Sequence, residues 1–571
     1  MRWERARVVL VVVVVVLGLG ACDTDGGTPS ESTGSGQPSP TTARATPVPS
    51  TTPTPGSTAT SSPTSSPGPA TVSPDVATGP LDRDGQASPM PTSWALPDLL
   101  ATPDVAATAS VAELQQAAVD LLATADGVVV ESQRALVEAA TSAGPVTVGS
   151  ASVDRDRVTA SLAVAVPAAD DQVVLRILAA SESIGPSVDS LAITATVTGS
   201  DVTTTVEPEL DRVVVDLGAA APDGVVLHLD VAYDLPAAED LAAGGGPAGY
   251  GLLADHGDVV TLGHWLPAVV AVPDNDGAVP QWGDLGAFAA GTWVVDVTVP
   301  EGTLRTGAVD RATPEGTVRA LGFGLRDLAA TWFPDGATPT TVAGDGAAAP
   351  VVVATSDDGS DDRPVAQVSH DQLVAYAERW GDLPWPELDL VRAPILPAAG
   401  MEFPGLVIED TEYWQPTDVG TEFTLAHEWA HQYFHALVGN GSLSDPVVDE
   451  PLAQYLTWRW FLAQDGQAFA DGLAARSLSD EGQPDRVAPA QAAADFPDGS
   501  TYSVAIYRTA ATAWVDAAEA HGVDVVDDAI RQVIADHALG VADVESLLAS
   551  VEQVSPAVAE DLREAFSTAP G

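Results

Sequence analysis

The chain has 571 residues, too many for one hydrophobic core, so two or three domains are expected. Its formal charge is −57 and all 23 basic residues are arginine, which argues against nucleic-acid binding because phosphate contacts need a basic surface. The single cysteine, Cys22, excludes an internal disulfide, and the acidity itself reads as a solvated surface.

The first residues read as targeting rather than fold. MRWERAR is a basic leader, and VVLVVVVVVLGLG is an apolar run too short to span a bilayer comfortably. It ends in Leu19-Gly20-Ala21-Cys22, which resembles the lipobox of bacterial lipoproteins. Residues 1–21 are therefore expected to be a lipoprotein signal peptide, with Cys22 lipidated and holding the protein to the outside of the membrane. Residues 22–95 are rich in Ser, Thr and Pro, as in TPVPSTTPTPGSTATSSPTSSPGPA, with too little apolar content to offset chain ordering. They are expected to form a disordered tether.

Residues 96–144 are Ala-rich and helical in pattern, with no function legible in them. From 145 to 310 strands dominate, as in RVTASLAVAVP, SLAITATVTG, GVVLHLDVAYDLP and TWVVDVTVP, separated by Asp, Gly and Pro turns. Asp274-Asn275-Asp276-Gly277 and the acidic loop Asp357 to Asp362 lack the ligand spacing of a calcium loop and read as plain turns. From about Arg311 helices are expected to return, with strands in ELDLVRAPIL and GLVIEDTEY, and 311–571 is taken as one mixed α/β domain with a helical C-terminal part.

Within that domain stands His427-Glu428-Trp429-Ala430-His431. The stretch Thr421 to Leu437 lacks Gly and Pro and carries apolar residues at helical spacing, which predicts a helix. Residues four apart are neighbours on one helix face, roughly 5–6 Å between Cβ atoms, so His427 and His431 are placed to grip one ion. Glu428, one step round, reaches a water bound to it. This is the logic of HExxH, in which two neutral imidazoles hold zinc and a carboxylate takes the water's proton. Zinc needs a third protein ligand and an open position. A ligand six residues on, the metzincin spacing, falls on Leu437, and the thermolysin spacing falls on Pro451. The spacing of aminopeptidase N falls on Glu450, with eighteen residues between it and His431. His435 is not a fourth candidate, because three ligands on one straight helix spread over roughly 12 Å and one zinc cannot collect them. It is expected to line the core or the cleft.

SDPVVDEPLAQY resembles the segment after the zinc helix in the aminopeptidase N (membrane alanyl aminopeptidase) family of gluzincins, where an Asp lies five residues before the ligand Glu, as Asp445 precedes Glu450. Gly400-Met401-Glu402-Phe403-Pro404 resembles the family's substrate-binding GAMEN motif in a GMEYP-like form, and Tyr507 in YRTAA resembles the Tyr of its YxKGA motif. The resemblance covers roughly residues 145–571. Asp449 and Pro451 stand where the family has Asn and Gly, and Thr509-Ala510 where it has Lys-Gly.

The resemblance implies an α+β multidomain protein: a β-rich N-terminal domain, then a thermolysin-like mixed α/β catalytic domain. It implies one Zn2+ per chain on His427, His431 and Glu450, with Glu428 as general base and Tyr507 stabilising the oxyanion. Gly400, Met401 and Glu402 would contact the substrate, Glu402 by holding a free peptide amine, and Asp445 would support the site from behind. The expected activity is peptide-bond hydrolysis on peptide or protein substrates, as an aminopeptidase. The alternatives are a zinc endopeptidase without N-terminal anchoring and an inactive, binding-only lipoprotein.

Overall fold

The computed structural model describes residues 94–568, apart from 183, 242–249, 272–281, 284–287, 315, 344–349, 396–397, 416–417 and 479–486. The signal peptide, Cys22, nearly all of the tether and Asp274 to Gly277 thus lie outside the described residues. Among the described residues no helix is long and apolar enough to cross a membrane.

The strand-rich region builds an eleven-stranded sheet. At its centre Val146–Asp154 runs parallel to Gly291–Thr298 and antiparallel to Arg157–Val166, which pairs in turn with Val225–Asp234. Side chains alternate between the two faces of a strand. Val158, Leu162 and Val164 accordingly enter the main core, while Ala163 and Ala165 belong to a second one. That second core is completed by the Ala-rich segment. Its helix Val111–Thr124, started by a capping box between Ser110 and Glu113, contributes Leu114, Ala118 and Leu121, and Trp94 and Leu100 join them. The segment with no legible function therefore covers the outer face of the large sheet.

The β-rich part continues past residue 310, where the sequence predicts helices. Val318–Leu325 extends the large sheet, and Ala330–Phe333 pairs with Thr303–Thr306 in a separate four-stranded sheet. The first helix after it is Arg363–Trp380. Gly322, Gly324 and the alanines of this stretch dilute the β signal, and pairing with distant strands overrides local propensity.

The next layer is a five-stranded sheet in the order Thr340–Val342, Val351–Thr355, Glu387–Ala393, Leu406–Asp410, Gly400–Phe403. Its last strand is antiparallel to its neighbour and forms the sheet's edge. Helices Val419–Ala430, Glu450–Asp465, Ala511–His521, Val523–His537, Val544–Val554 and Pro556–Ser567 make up the rest. A buried ion cluster joins the four- and five-stranded sheets: Arg305 donates to Asp389 at 2.6 Å and Glu387 at 2.7 Å, with Asp310 at 3.8 Å.

Candidate active site

Helix Val419–Ala430 begins at Asp418, whose side chain accepts the Gly420 N–H at 2.7 Å. The expected helix to Leu437 is corrected at its end, because the chain leaves the helix after Ala430. The N–H groups of Ala436, Leu437 and Val438 then reach back five residues, to the carbonyls of His431, Gln432 and Tyr433. The cause lies outside the segment. Fully buried Arg326 donates to the carbonyls of Ala436 (2.9 Å) and Leu437 (3.2 Å), and also to those of Phe288 (2.9 Å) and Gly540. A guanidinium in that position must be solvated by carbonyls, and the wide turn presents them. Burial pushes its pKa down to about 10.

The same turn puts His435 at φ 119°, off the face shared by His427 and His431, so backbone direction rather than axial distance removes it from their set. It is buried, with Nδ1 4.0 Å from Asp449 Oδ2, and burial first, then His431 and Arg326, pushes its pKa down to about 3.

The second helix starts at Glu450 itself. Asp449 accepts the Glu450 N–H at 2.7 Å, and Pro451 sits in the first turn, where a missing N–H costs nothing. Glu450 Oε2 thereby lies 3.1 Å from His427 Nε2 and 3.4 Å from His431 Nε2, and the two nitrogens are 3.2 Å apart. A tetrahedral ion with bonds near 2.0–2.1 Å sets its ligand atoms roughly 3.3 Å apart, so the triangle fits zinc. The tautomer fits as well. His431 Nδ1 is 3.0 Å from the Phe434 carbonyl, which can only accept, so Nδ1 carries the proton and Nε2 offers its lone pair. Burial lifts the Glu450 carboxyl, but the facing imidazoles, His431 foremost, outweigh it and hold the carboxyl well below the usual range. Against burial, Glu402 and Glu450 raise the affinity of His431 for positive charge, which is the field a divalent cation meets there.

Glu428 and Glu402 each place an oxygen within 4.8 Å of a ring nitrogen of His431 and of each other. Both are buried, and burial raises the pKa of each, with Glu402 adding to the effect on Glu428. Gly400 is required where it stands, since a Cβ there would lie 2.5 Å from Glu428 Oε1. Met401 departs from expectation. Strand alternation puts it with Phe403 on the face opposite Gly400 and Glu402, and it belongs to the main core.

Tyr507 donates its hydroxyl to Glu450 Oε1 at 2.6 Å, and its ring centre lies 6.3 Å from that of His427. It lies on a π-helical stretch, Val504–Ala510, in which hydrogen bonds close after five residues. An α-helix would turn Tyr502 and Tyr507 about 140° apart. The wider winding brings the two rings to 6.2 Å, edge to face.

Asp445 is corrected. It accepts from Ser444 Oγ at 2.8 Å and from the Val544 N–H at 3.5 Å, and so closes the loop before the second helix instead of bracing a ligand. Asp449, met in the sequence only as a departure from a motif, is the residue next to the ligand. Three other buried residues around the site carried no recognisable pattern: Gln432, Arg326 and Glu409. Glu409 lies across the strand pair from Gly400, and neither of its oxygens has a partner; burial and then Glu428 raise its pKa well above the usual range. The acidic loop Asp357 to Asp362 is a plain turn. Its charge is met by Arg392, at 2.7 Å from Asp357 and 3.1 Å from Asp358.

No protein-family model matches the chain, and no curated protein is similar to it in sequence. Its fold is that of solved M1 zinc metallopeptidases. A mutant of the enzyme from Deinococcus radiodurans superposes with a TM-score of 0.53 at 17% identity, over 75% of this chain and 96% of its own. The mutant bound to a Tyr-Ser-Ala substrate gives 0.54 at 17%, over 75% and 96%. A further structure of that enzyme gives 0.53 at 17%, over 75% and 94%.

Proposed function

We propose that the protein is a zinc-dependent aminopeptidase, tethered outside the bacterial membrane by a lipid on Cys22. The observation that carries the peptidase reading is the triangle of His427 Nε2, His431 Nε2 and Glu450 Oε2, 3.1–3.4 Å apart, with His431 and Glu450 buried, His427 nearly so, and Glu428 beside it. Bound zinc supplies Lewis acidity, polarising the scissile carbonyl and making water nucleophilic near neutral pH. Glu428, whose raised pKa suits it to hold a proton, takes one from the attacking water and passes it to the leaving amine. Tyr507 brings a phenol donor to the side of the ligand carboxylate, where it serves the developing oxyanion. Glu402, buried with one oxygen unpartnered, binds the ammonium of the substrate's N-terminus. The Tyr-Ser-Ala complex of the Deinococcus enzyme, a free peptide on the same fold, supports this assignment.

One observation favours the endopeptidase reading. A polar residue that the β-rich part brings to this corner is His264, with Nδ1 2.7 Å from Asp327 and its ring 5.1 Å from that of Phe403. An imidazole is a poorer second anchor for an ammonium than a carboxylate. The deciding experiment is zinc analysis of the purified protein together with hydrolysis of aminoacyl and internally quenched peptides. Cleavage of aminoacyl substrates with one bound zinc supports the proposal. Cleavage confined to internal bonds moves the protein to the endopeptidase class, and a zinc-free, inactive protein rejects both. Anchoring at Cys22 is tested separately, by detergent partitioning of wild type against Cys22→Ala.

A further inference from the structure

We propose that Gln432 is a positioning residue that sets the distance between Glu402 and the metal-binding helix, and with it the selectivity for substrates bearing a free amine. The inference rests on the aminopeptidase reading and deepens it. Gln432 follows His431, is fully buried, and points away from the metal ligands. Its Oε1 accepts the Gly405 N–H at 3.0 Å, and its Nε2 donates to the Phe403 carbonyl at 3.0 Å. The orientation of the amide is fixed by these partners, since an N–H can only donate and a carbonyl can only accept. Both bonds fall on the Phe403-Pro404-Gly405 turn, directly after Glu402.

That turn needs holding. Gly400–Phe403 is an edge strand with a sheet neighbour on one side only. Gly405 takes φ +81°, its carbonyl accepts the Asp389 N–H at 2.9 Å, and on its other side the turn presses so closely on Gly307 that a Cβ there would lie 2.2 Å from the Pro404 carbonyl. Asp389 and Gly307 register the turn against the sheets. Gln432 registers it against the helix segment carrying His427, Glu428 and His431. Without the amide, the buried Phe403 carbonyl and Gly405 N–H lose their partners, and the strand is free to shift relative to the helix. Such a shift moves Glu402 while leaving the metal ligands, which sit on helix elements of their own.

The test uses the zinc-loaded full chain with Gln432→Met, which keeps length and removes both bonds, and Gln432→Glu, which keeps the acceptor for Gly405. An aminoacyl substrate and its N-acetylated counterpart are compared. Gln432→Met is expected to raise KM for the free-amine substrate about tenfold or more, with less than a twofold change for the blocked one, and Gln432→Glu to fall between. Zinc stoichiometry should be unchanged. In a Glu428→Gln background, calorimetric binding of L-tryptophan should weaken by a similar factor on adding Gln432→Met, and binding of N-acetyl-tryptophan should not. Parallel losses on both substrates, or a loss expressed as zinc release, would overturn the role of Gln432 alone. A wild type that cleaves only blocked peptides would remove the aminopeptidase reading and this inference together.

Discussion

Tyr507 and Glu450 share a 2.6 Å hydrogen bond on one carboxylate oxygen, while the other oxygen of Glu450 faces both imidazoles. The phenol therefore keeps Glu450 turned with a single oxygen toward the two imidazoles. Tyr507→Phe removes a donor for the oxyanion, which commonly contributes about 3–4 kcal/mol, and turnover should fall roughly a hundredfold or more. Because the phenol also holds a ligand, zinc affinity should weaken about tenfold, as for other partners behind a metal site. A chelator titration alongside the kinetics separates the two effects. If Tyr502→Phe gives the kinetic loss and Tyr507→Phe does not, the assignment is wrong.

Glu428 is no part of the ligand triangle, so Glu428→Gln should retain stoichiometric zinc and lose hydrolysis by several orders of magnitude. His431→Ala removes one corner and should lose both. Metal analysis and turnover on the same preparations check this, and full activity in the Gln variant would sink the proposed mechanism.

Glu402→Ala deletes the carboxylate proposed to meet the substrate amine. KM for free-amine peptides should rise at least tenfold, far more than for N-acetylated ones, with zinc content unchanged. Equal effects on the two classes would argue for internal-bond cleavage.

The cluster joining the sheets makes a prediction away from the chemistry. One guanidinium, Arg305, faces three buried carboxyls, and burial raises Glu387 from 4.5 to about 7 against the pull of Arg305. A carboxyl whose folded pKa lies above its unfolded value binds more protons when folded, so stability falls as pH rises between the two values. Wild type should therefore lose stability from this group between about pH 4.5 and 7, and Glu387→Gln should flatten that part of the profile. Thermal melting of both proteins across this range measures the difference, and identical slopes would show that Glu387 is ionised throughout.

What the sequence disclosed was whatever depends on short-range backbone geometry. Two imidazoles four residues apart lie on one helix face whatever surrounds them, so the proximity of His427 and His431 was legible, while Glu450 was reached only through the spacing of the aminopeptidase N family. The segment after His431 was not, because its path is decided by Arg326, more than a hundred residues earlier, and by Gly540, as far again downstream. Met401 was misplaced because a motif was read as a block, although alternate residues of a strand face opposite ways. Asp445 was misplaced because its partner, Val544, is distant in sequence. The hydrogen bond from Tyr507 to Glu450 was not legible, because it depends on a π-helical stretch that local sequence does not announce.

Arg326 also bears on the order in which the chain can complete its fold. Its four carbonyl partners come from the β-rich region, the turn behind His431 and, last, Gly540 near the end of the chain. Until the segment with Gly540 has been synthesised and docked, a cation lies in the interior short of an acceptor, and the turn it shapes is not secured. A nascent chain that already carries both histidines and Glu450 thus still lacks a contact that secures the turn behind His431. Completion of that turn waits on nearly the last helices to emerge.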